Sequence, residues 1–384
     1  MLITTDKSKC SGCKACANAC PVSAISFQYD EEGFFYPIID AETCIDCRLC
    51  EKVCPYNDVN HGVPAANESE VPVFYAAQLK NISELGSVSS GGAFQALAQS
   101  VIERDGIVYG AAQVDVDHIF HIRATNMNEL KQTRRSKYFQ SDIGMCYKEV
   151  LNDLKAGKIV LFSGTGCQVA GLNTFLHKRY DNLYTCEVVC HGVPSRKVWE
   201  AYRKEKELRE GKKIKDLVFR DKSLGWSNNQ YKIIYDDGSI EYEKSTQQLF
   251  HLGYLKGLFY RPSCGSCPFA SMPRVADISL ADFWKYSGKM RDGDMGISLI
   301  GINNSHGNDL LTLSSEFLYM EPTTSEIALY SCKHMDEHPE ENKFRKAFLK
   351  KTFSDGYYSA ARRYIERESI ICHVERKVKS FLRR

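Results

Sequence analysis

Two runs of cysteine near the start of the chain have the spacing that binds iron–sulfur clusters. Residues 10–21 read CSGCKACANACP and residues 44–55 read CIDCRLCEKVCP, so the pattern C-x2-C-x2-C-x3-C-P occurs twice. A [4Fe–4S] cluster takes four thiolates, and in paired runs of this kind the fourth cysteine of each run binds the other cluster. The spacing therefore predicts two clusters and single-electron chemistry. The predicted ligands are Cys10, Cys13, Cys16 and Cys54 for the first cluster, and Cys44, Cys47, Cys50 and Cys20 for the second.

Paired CxxC motifs also occur in structural zinc sites. Zinc would need only two cysteines from each run. It also gives no reason for Pro21 and Pro55, which end the runs and stop the following helix from extending backward. A disulfide framework is disfavoured because nothing at the N-terminus resembles a secretory signal. Iron–sulfur ligation is the favoured interpretation of these eight cysteines.

Four further cysteines lie in loops where side chains can converge. Cys167 and Cys190 each follow a predicted strand, in SGTGCQ and CHGVPS, whereas Cys264 and Cys267 form CGSCP. Because glycine turns at strand ends can bring thiolates together, we expect a third [4Fe–4S] cluster on these four. The 264–267 pair could instead form half of a zinc site or a redox-active CxxC, and the other two could be buried small hydrophobes. No role is assigned to Cys146, Cys186, Cys332 and Cys372.

Length and composition limit the protein class. The 384 residues allow two or three domains, with 43% hydrophobic residues, 26% charged residues and a formal net charge of +2. No apolar run approaches the roughly 18 residues of a membrane helix, and the near-neutral charge does not favour nucleic-acid binding. Sixteen cysteines without a signal peptide predict a reducing cytoplasm, in an anaerobic cell.

The order of predicted elements indicates an α+β fold in several parts. Strands alternate with helices in the first half of the main region, and a hairpin is expected at the turn 236–238. The C-terminal tail carries repeated basic residues that suit a solvated helical face or docking to a partner or an acidic membrane surface. The predicted parts are a dicluster ferredoxin-like module at 1–58, a linker at 59–72, an α/β part at 73–210, a part with the CGSC loop at 211–340 and a helical basic tail at 341–384.

The loops and their order closely resemble the beta subunit of coenzyme F420 hydrogenases and dehydrogenases. The bacterial type with a fused N-terminal 2[4Fe–4S] ferredoxin domain is especially similar. The resemblance implies FAD, a [4Fe–4S] cluster in the main domain, and electron exchange between a hydride-carrying substrate and iron–sulfur relays. It covers essentially the whole chain. The matching segments are SVSSGG at 87–92, SKYFQS at 136–141, the Cys167 loop, CHGVPS at 190–195, CGSC at 264–267 and ADI…DFW at 276–284.

This chain departs from the family pattern at two positions. The family usually has proline where this chain has Gly166, and the change is expected to loosen the loop that holds Cys167. The family usually has glycine where this chain has Ala281, which leaves the role of Asp282 open. Asp277 and Asp282 are both expected to fix loops rather than to act as catalytic acids.

The Ser/Gly turn at 87–92 precedes a predicted helix. Its backbone N–H groups and the helix dipole can bind an anion, although an ordinary N-cap serine explains the pattern as well. Likewise, the basic turn near residue 136 could simply be solvated. The resemblance implies that both segments contact FAD, the first at the diphosphate. The implied cofactor-binding residues are Ser89, Ser90, Gly91, Gly92, Ser136, Lys137, Tyr138 and Gln140.

His191 is the candidate catalytic residue because it adjoins a predicted cluster ligand, Cys190. It could supply a proton or tune the cluster by hydrogen bonding. A histidine that bonds a loop carbonyl is an equally good interpretation.

Together these features predict an iron–sulfur flavoprotein oxidoreductase in the cytoplasm. It would pass electrons between a soluble ferredoxin, or a partner oxidoreductase subunit, and a small organic hydride donor or acceptor at FAD. Two alternatives stay open: a subunit that reduces or oxidises coenzyme F420 within a hydrogenase or dehydrogenase complex, and an electron-transfer subunit without substrate chemistry. Nucleic acid is not expected as a partner, and no transmembrane segment is expected.

Overall fold

The computed structural model describes residues 6–57, 72–290 and 293–366. The predicted linker, apart from Pro72, lies outside the described residues, as do the tail beyond residue 366 and its Cys372. In the part that is described, no helix is long and apolar enough to cross a membrane.

Strands occur from the cysteine-rich module to near the end of the described chain. In chain order they are β1 (Ile25–Tyr29), β2 (Phe35–Ile39), β3 (Val73–Leu79), β4 (Ile107–Gln113), β5 (Ile119–Ala124), β6 (Val160–Thr165), β7 (Leu183–Val188), β8 (Ile214–Asp221), β9 (Gln230–Tyr235), β10 (Ile240–Lys244), β11 (Ile278–Asp282), β12 (Ser298–Ile302) and β13 (Leu318–Thr323).

Helices connect these strands and form the end of the described chain. They are α1 (Ala15–Ala19), α2 (Leu49–Lys52), α3 (Ile82–Leu85), α4 (Ala93–Ile102), α5 (Met127–Leu130), α6 (Cys146–Lys155), α7 (Gly166–Leu176), α8 (Arg196–Glu210), α9 (Leu249–Leu255), α10 (Ser305–Ser314), α11 (Ser325–Ser331), α12 (Arg345–Asp355) and α13 (Tyr357–Ala361). The mixture of helices and sheets confirms the predicted α+β class.

The two cysteine runs adopt the same backbone turn. Lys14 and Arg48 occupy equivalent places, each directly after the second cysteine of its run, and both have left-handed backbone conformations with φ of 62° and 58°. Helices α1 and α2 begin immediately afterwards and carry the third cysteine of each run. The antiparallel hairpin of β1 and β2 lies between the runs. The repeat in the sequence is therefore also a repeat in local structure.

An eight-stranded mixed sheet forms the centre of the main region, with strand order β13-β3-β12-β11-β7-β6-β4-β5. Its central pairs β11–β7, β7–β6 and β6–β4 are parallel, and the outer pairs are antiparallel. Strands β11, β12 and β13, from the predicted 211–340 part, thus pair with strands of the predicted 73–210 part.

Side chains of the sheet alternate between two cores, as the two-residue period of a strand requires. Tyr109 and Phe162 face α6 and α7. Their neighbours Val108 and Leu161 face the opposite side, where α4 and α10 pack. Helices therefore cover both faces, and the carboxyl ends of the parallel strands are left to carry loops.

A second, three-stranded antiparallel sheet has the order β10-β9-β8. Strands β9 and β10 form the hairpin predicted at 236–238, with Ile234 paired to Ile240. This sheet packs with α8, α9, α12 and α13 around an aromatic core in which Trp199, Tyr202 and Phe250 are buried. The aromatic side chains supply the large apolar area that holds this part together.

The cysteine-rich module docks on the main region through α1. Ala15 and Val53 are buried in the same core as the side chains of α6 and α7. Two hydrogen bonds fix the contact: Asn18 Nδ2 donates to the Gly144 carbonyl at 2.9 Å, and Thr174 Oγ1 donates to the Val53 carbonyl at 2.7 Å. The module is thus part of a continuous packed structure rather than a tethered appendage.

Gly91 lies where the chain entering α4 crosses strands β3 and β12. Its amide donates to Ser298 Oγ at 3.0 Å, and its carbonyl accepts from the Leu79 amide at 2.8 Å. A Cβ atom on Gly91 would collide with the Ala77 carbonyl and would lie 2.7 Å from the Ser298 amide. Both obstacles are backbone, so no side-chain movement can relieve the overlap.

We therefore expect Gly91→Ala to lower the free energy of unfolding by about 1–3 kcal/mol or more, the usual cost of overpacking. The measurement is urea denaturation followed by tryptophan fluorescence. Gly86→Ala is the matched control, because Gly86 lies in the same loop with φ of −66° and its nearest heavy atom to a new Cβ is Met295 Cε at 3.6 Å. The control should change stability by less than about 0.5 kcal/mol. Equal denaturation curves for the two variants would contradict this interpretation.

Candidate metal centre

The second predicted cysteine group encloses a cavity. Its four members, Cys20, Cys44, Cys47 and Cys50, line one cavity together with apolar side chains that include Ile25. The Ala24 amide donates to Cys20 Sγ at 3.2 Å, and Cys47 is exposed. The structure therefore brings these four cysteines together at the outer end of the module.

The first predicted group is more deeply placed. Burial raises the pKa of the Cys13 thiol well above its ordinary value, and the neighbouring thiols of Cys16, Cys54 and Cys10 raise it further. Burial likewise raises the pKa of Cys16, followed by the charges of Cys10, Cys54 and Cys50. The four thiols are thus close enough to repel one another when ionised. The same interaction with Cys50 makes this group a neighbour of the second.

The third predicted group also converges, from three separate loops. Cys167 lies in the first turn of α7, Cys190 follows β7, and Cys264 and Cys267 lie in and after a 3₁₀ helix at Pro262–Ser266. Burial raises the pKa of Cys190 to about 12, and the charges of Cys264 and Cys167 contribute. The pKa of Cys267 is raised by burial and then by Cys167, Cys264 and Cys190. The structure therefore brings all four thiols to one place.

Hydrogen-bond donors surround the sulfur atoms of this third group. The Gly192 amide donates to Cys190 Sγ at 3.3 Å, and the Val193 amide donates to Cys264 Sγ at 3.4 Å. A turn with φ of 101° at Gly192 makes these neighbouring amides available. Donors of this kind stabilise thiolates, and hydrogen bonds to sulfur are one of the means by which proteins set cluster potentials.

The expectation that Gly166 loosens the Cys167 loop is wrong. Thr165 caps α7 in a capping box with Gln168, which fixes the loop at the start of the helix. A Cβ on Gly166 would lie 2.7 Å from Glu187 Oε2 and 2.9 Å from the Phe269 carbonyl. The glycine is therefore required by tight packing beneath the third cysteine group.

His191 lies in a cluster of aromatic rings rather than beside the Ser/Gly turn. Its ring centroid is 4.4 Å from that of His334, 5.5 Å from that of Tyr254 and 6.0 Å from that of Tyr260. Burial, with a smaller contribution from His334, lowers the pKa of His191 to about 4. The ring is thus neutral at ordinary pH, and its catalytic role stays a prediction.

The two aspartates of the β11 region bond neighbouring strands and the start of α10, and their loop-fixing role stays a prediction. Asp277 accepts from the Thr185 amide at 2.7 Å and from Asn304 Nδ2 at 2.9 Å. Asp282 pairs with Arg220.

Most of the residues implied to bind FAD lie near one another, but several are engaged in packing. Ser89 Oγ and Ser136 Oγ are 3.0 Å apart, so the two implied segments meet. Ser90 Oγ donates to the Ile297 carbonyl at 2.7 Å. Gly91 is held between β3 and β12, and Gly92 is the left-handed N-cap of α4 beside Leu79. The hydroxyls of Ser89 and Ser136 are therefore more accessible to a ligand than the backbone of Gly91 and Gly92.

The remaining implied residues separate into two places. Lys137 Nζ donates to the carbonyls of Thr133 and Arg134 at 2.8 and 2.6 Å, and burial lowers its pKa to about 7. Tyr138 packs among rings, with Phe219 at 5.2 Å. Gln140 points the other way, toward the cysteine-rich module, where its Nε2 donates to the Ser11 carbonyl at 2.7 Å.

Sequence reasoning missed a set of cations around the serine pair. Arg134 donates to Gln95 Oε1 at 2.9 Å and to Ser87 Oγ at 3.0 Å, and it forms an ion pair with Glu84. Lys222 Nζ donates to the Ser90 carbonyl at 2.6 Å, and burial, followed by the charge of Arg220, lowers its pKa to about 7. Arg220 and Lys222 lie at the end of β8, far in sequence from the turn at 87–92. Only the folded chain brings Lys222 to the Ser90 carbonyl.

Three buried donor atoms in this neighbourhood have no hydrogen-bond partner among the described residues. They are Gln95 Nε2, Arg220 Nη2 and Trp226 Nε1. Trp226 stacks on Trp284 with ring centroids 4.1 Å apart, and Arg220 lies 5.2 Å over the same Trp284 ring. Unsatisfied buried donors are costly, so each of these three atoms would gain from an acceptor.

Comparisons with known proteins agree with the cysteine pattern. Residues 157–326 match the family model for the C terminus of the coenzyme F420 hydrogenase/dehydrogenase beta subunit. Residues 9–57 match the model of a 4Fe-4S dicluster domain. Among solved structures, a chain of the xenon-derivatized F420-reducing [NiFe] hydrogenase complex from Methanosarcina barkeri is 16% identical, with a TM-score of 0.49, over 75% of this chain and 94% of that chain. No curated protein matches.

The protein is thus of the iron–sulfur electron-transfer class, with a 4Fe-4S dicluster domain at its N-terminal end. Its residues 157–326 are similar to the C terminus of the coenzyme F420 hydrogenase/dehydrogenase beta subunit, and this part follows a ferredoxin-type dicluster domain, as the resemblance in the sequence predicted.

A buried ion pair supports the loops of the third cysteine group. Arg274 Nε donates to Glu187 Oε1 at 2.7 Å, and both side chains are almost completely buried. Glu187 lies near the end of β7, next to the Cys190 loop, and Ser279 Oγ also donates to its Oε1 at 2.7 Å. Removing one partner would leave an uncompensated charge in the interior.

We therefore expect Arg274→Met to lower the free energy of unfolding by about 3–5 kcal/mol, measured by urea denaturation of anaerobically purified protein. Lys351→Met is the control, since Lys351 pairs with Asp355 on an exposed helix face at 2.5 Å. Its loss should cost only about 0.3–0.5 kcal/mol. If the two variants unfold at the same urea concentration, the buried pair does not support these loops.

Proposed function

We propose that this chain is an iron–sulfur flavoprotein oxidoreductase with three [4Fe–4S] clusters and FAD. It passes electrons between a ferredoxin-type donor, or a partner oxidoreductase subunit, and an organic hydride donor or acceptor at the flavin. The observation that carries the proposal is the convergence of twelve cysteines into three groups of four, each close to the next.

The number of cysteines in each run supports clusters over single metal ions, because a zinc site would need only two cysteines from each run. Within the first and third groups the thiols also influence one another electrostatically. Four thiolates close together suit a [4Fe–4S] cluster, in which each thiolate binds a different iron.

The order in which the three cysteine groups adjoin suggests a path for electrons. The second group, with exposed Cys47, adjoins the first through Cys50. The first adjoins the third because Arg261, in the loop that leads to Cys264, donates from Nε to the Cys10 carbonyl at 2.7 Å. We infer the order second cluster, first cluster, third cluster, flavin, with the exposed second cluster as the contact point for an external carrier.

Donor groups near Ser89 and Ser136 support FAD binding. A diphosphate needs several donors, and the two serine hydroxyls and the Gln95 Nε2 atom, which has no partner among the described residues, could supply them. Arg134 and Lys222 hold the surrounding loops, because Arg134 pairs with Glu84 and Lys222 Nζ donates to three carbonyls. When bound, a flavin accepts two electrons as a hydride and releases them singly. The protein's own part would be to hold the diphosphate with these donors and to keep the cofactor near the third cysteine group.

Coenzyme F420 is the alternative substrate that the family match favours. The chain would then act as the F420-reactive subunit of a hydrogenase or dehydrogenase complex. A carrier without FAD is the other alternative. F420 reduction by the dithionite-reduced protein would select the first, and iron without flavin would select the second.

Iron quantitation tests the three clusters. Anaerobically purified protein should contain about twelve irons per chain, four for each cluster. Cys264→Ser should lower this to about eight and leave the electron paramagnetic resonance signals of the other two clusters in place. Cys146→Ser is the matched control, because Cys146 is buried away from the groups and its Sγ donates to the His121 carbonyl at 3.5 Å. A wild-type count of about eight would remove the third cluster from the proposal.

Flavin binding is tested separately. The wild-type protein should release FAD on denaturation, identified by chromatography. Ser89→Ala combined with Ser136→Ala should weaken FAD binding by about tenfold or more, since hydrogen bonds to a charged group contribute about 1.5–3 kcal/mol each. Ser83→Ala is the control, because its hydroxyl is exposed and bonds only Asn81 among the described residues. Iron-loaded wild-type protein that neither contains nor binds FAD would favour the carrier alternative.

A further inference from the structure

Arg261 is completely buried between the cysteine-rich module and the loops of the third cysteine group. Its backbone belongs to those loops: its amide donates to the Val193 carbonyl at 2.9 Å, and its carbonyl accepts from the Cys264 amide at 2.9 Å. The residue is therefore fixed to the elements that carry Cys190 and Cys264.

The side chain of Arg261 reaches across to the first cysteine group. Its Nε donates to the Cys10 carbonyl at 2.7 Å, its Nη2 donates to the Phe35 carbonyl at 2.8 Å, and the same Nη2 lies 3.9 Å from Cys10 Sγ. Its Nη1 donates to Gln140 Oε1 at 3.1 Å. The guanidinium also packs 4.4 Å from the centre of the Tyr36 ring.

Gly12 makes this approach possible. Its backbone has φ of 71°, and a Cβ there would lie 3.0 Å from Arg261 Nη1. The loop between the first two cysteines thus leaves room for the cation.

In the described part of the chain no carboxylate forms an ion pair with Arg261, unlike the other deeply buried arginines. Arg274 pairs with Glu187, Arg345 with Glu32 and Arg220 with Asp282. The hydrogen-bond acceptors of Arg261 are carbonyls, an amide and the Cys10 sulfur. Arginine stays charged in proteins, and an isolated buried charge is strongly unfavourable. The missing counter-charge must therefore come from the thiolates on either side.

We propose that Arg261 is the shared counter-ion of the first and third clusters and sets their reduction potentials. The proposal rests on the proposed function, because it requires clusters on these cysteines. Each cluster becomes more negative by one charge when it takes one electron, and no bond forms or breaks. A fixed cation between two clusters would favour the reduced form of both, so it would raise both potentials.

The test is a redox titration of the anaerobically purified holoprotein, followed by electron paramagnetic resonance. Arg261→Gln should weaken one-electron reduction of the first and third clusters by about tenfold, a shift of about 59 mV to more negative potential. The second cluster is the internal reference and should shift much less. Arg261→Lys keeps the charge, so its potentials should stay near those of the wild type.

The matched control removes a neutral pair from the same interface. In the double variant Glu32→Gln with Arg345→Gln, two opposite charges are lost together, and Arg345, like Arg261, lies near the Phe34 ring. This variant should leave the potential of the first cluster close to that of the wild type, and the third should shift less than in Arg261→Gln, although the charge of Arg345 also reaches Cys264. A shift as large as that of Arg261→Gln would mean that loosening of the interface, not charge, changes the potentials.

Other results would overturn the proposal directly. Unchanged potentials in Arg261→Gln, or a full shift in Arg261→Lys, would exclude a counter-ion role. Iron content separates this failure from failure of the proposed function. A variant that keeps twelve irons with unchanged potentials contradicts only the role of Arg261, whereas a wild-type protein with eight irons contradicts the third cluster. Should Arg261→Gln fail to fold, Arg261→Lys alone decides, since a full shift there rejects the role and wild-type potentials support it.

Discussion

The packing of α1 against α7 is the contact on which the arrangement of cysteines depends. Gly171 lies in the middle of α7, where a Cβ would be 3.0 Å from Cys13 Sγ and 3.1 Å from Cys13 Cβ. A larger side chain there would push the first cysteine group away from the helix whose first turn carries Cys167. The missing side chain of Gly171 therefore sets how closely the first and third cysteine groups can approach each other. A short distance matters because electrons pass only between neighbouring redox centres.

Burying so many thiols creates an electrostatic problem that the fold solves locally. Burial raises the pKa of cysteine in the first and third groups, because an ionised thiolate loses its hydration. Amides of the 192–193 turn donate to two of the sulfurs in the third group. Arg274 adds positive charge beside Cys190 and Cys267, while Glu187 balances it. Donors and cations are thus concentrated where negative charge must be held.

The sequence allowed the grouping of the cysteines to be predicted better than the surroundings of the residues implied to bind FAD. Cysteine spacing within a run is local, and the positive φ at Lys14 and Arg48 follows from the same local pattern in both runs. The convergence of Cys167, Cys190 and the 264–267 pair could be anticipated because each follows a strand or lies in a glycine loop. Contacts between segments that are distant in sequence could not be anticipated, because no local pattern specifies them. Gln140 stands next to the implied flavin segment in sequence, yet its side chain bonds the Ser11 carbonyl across the domain contact.

The motif at residues 87–92 illustrates why a family pattern does not by itself identify ligand contacts. Its serines and glycines suggest a backbone free to approach a phosphate. In the structure, however, Gly91 packs closely against strands β3 and β12. The hydroxyl of Ser298 accepts from the amides of Gly91 and Ala93 at 3.0 and 3.4 Å. The packing of α4 on the sheet is therefore sufficient to explain the glycines. What this packing does not explain is that Gln95 Nε2 in α4 is buried with no hydrogen-bond partner among the described residues.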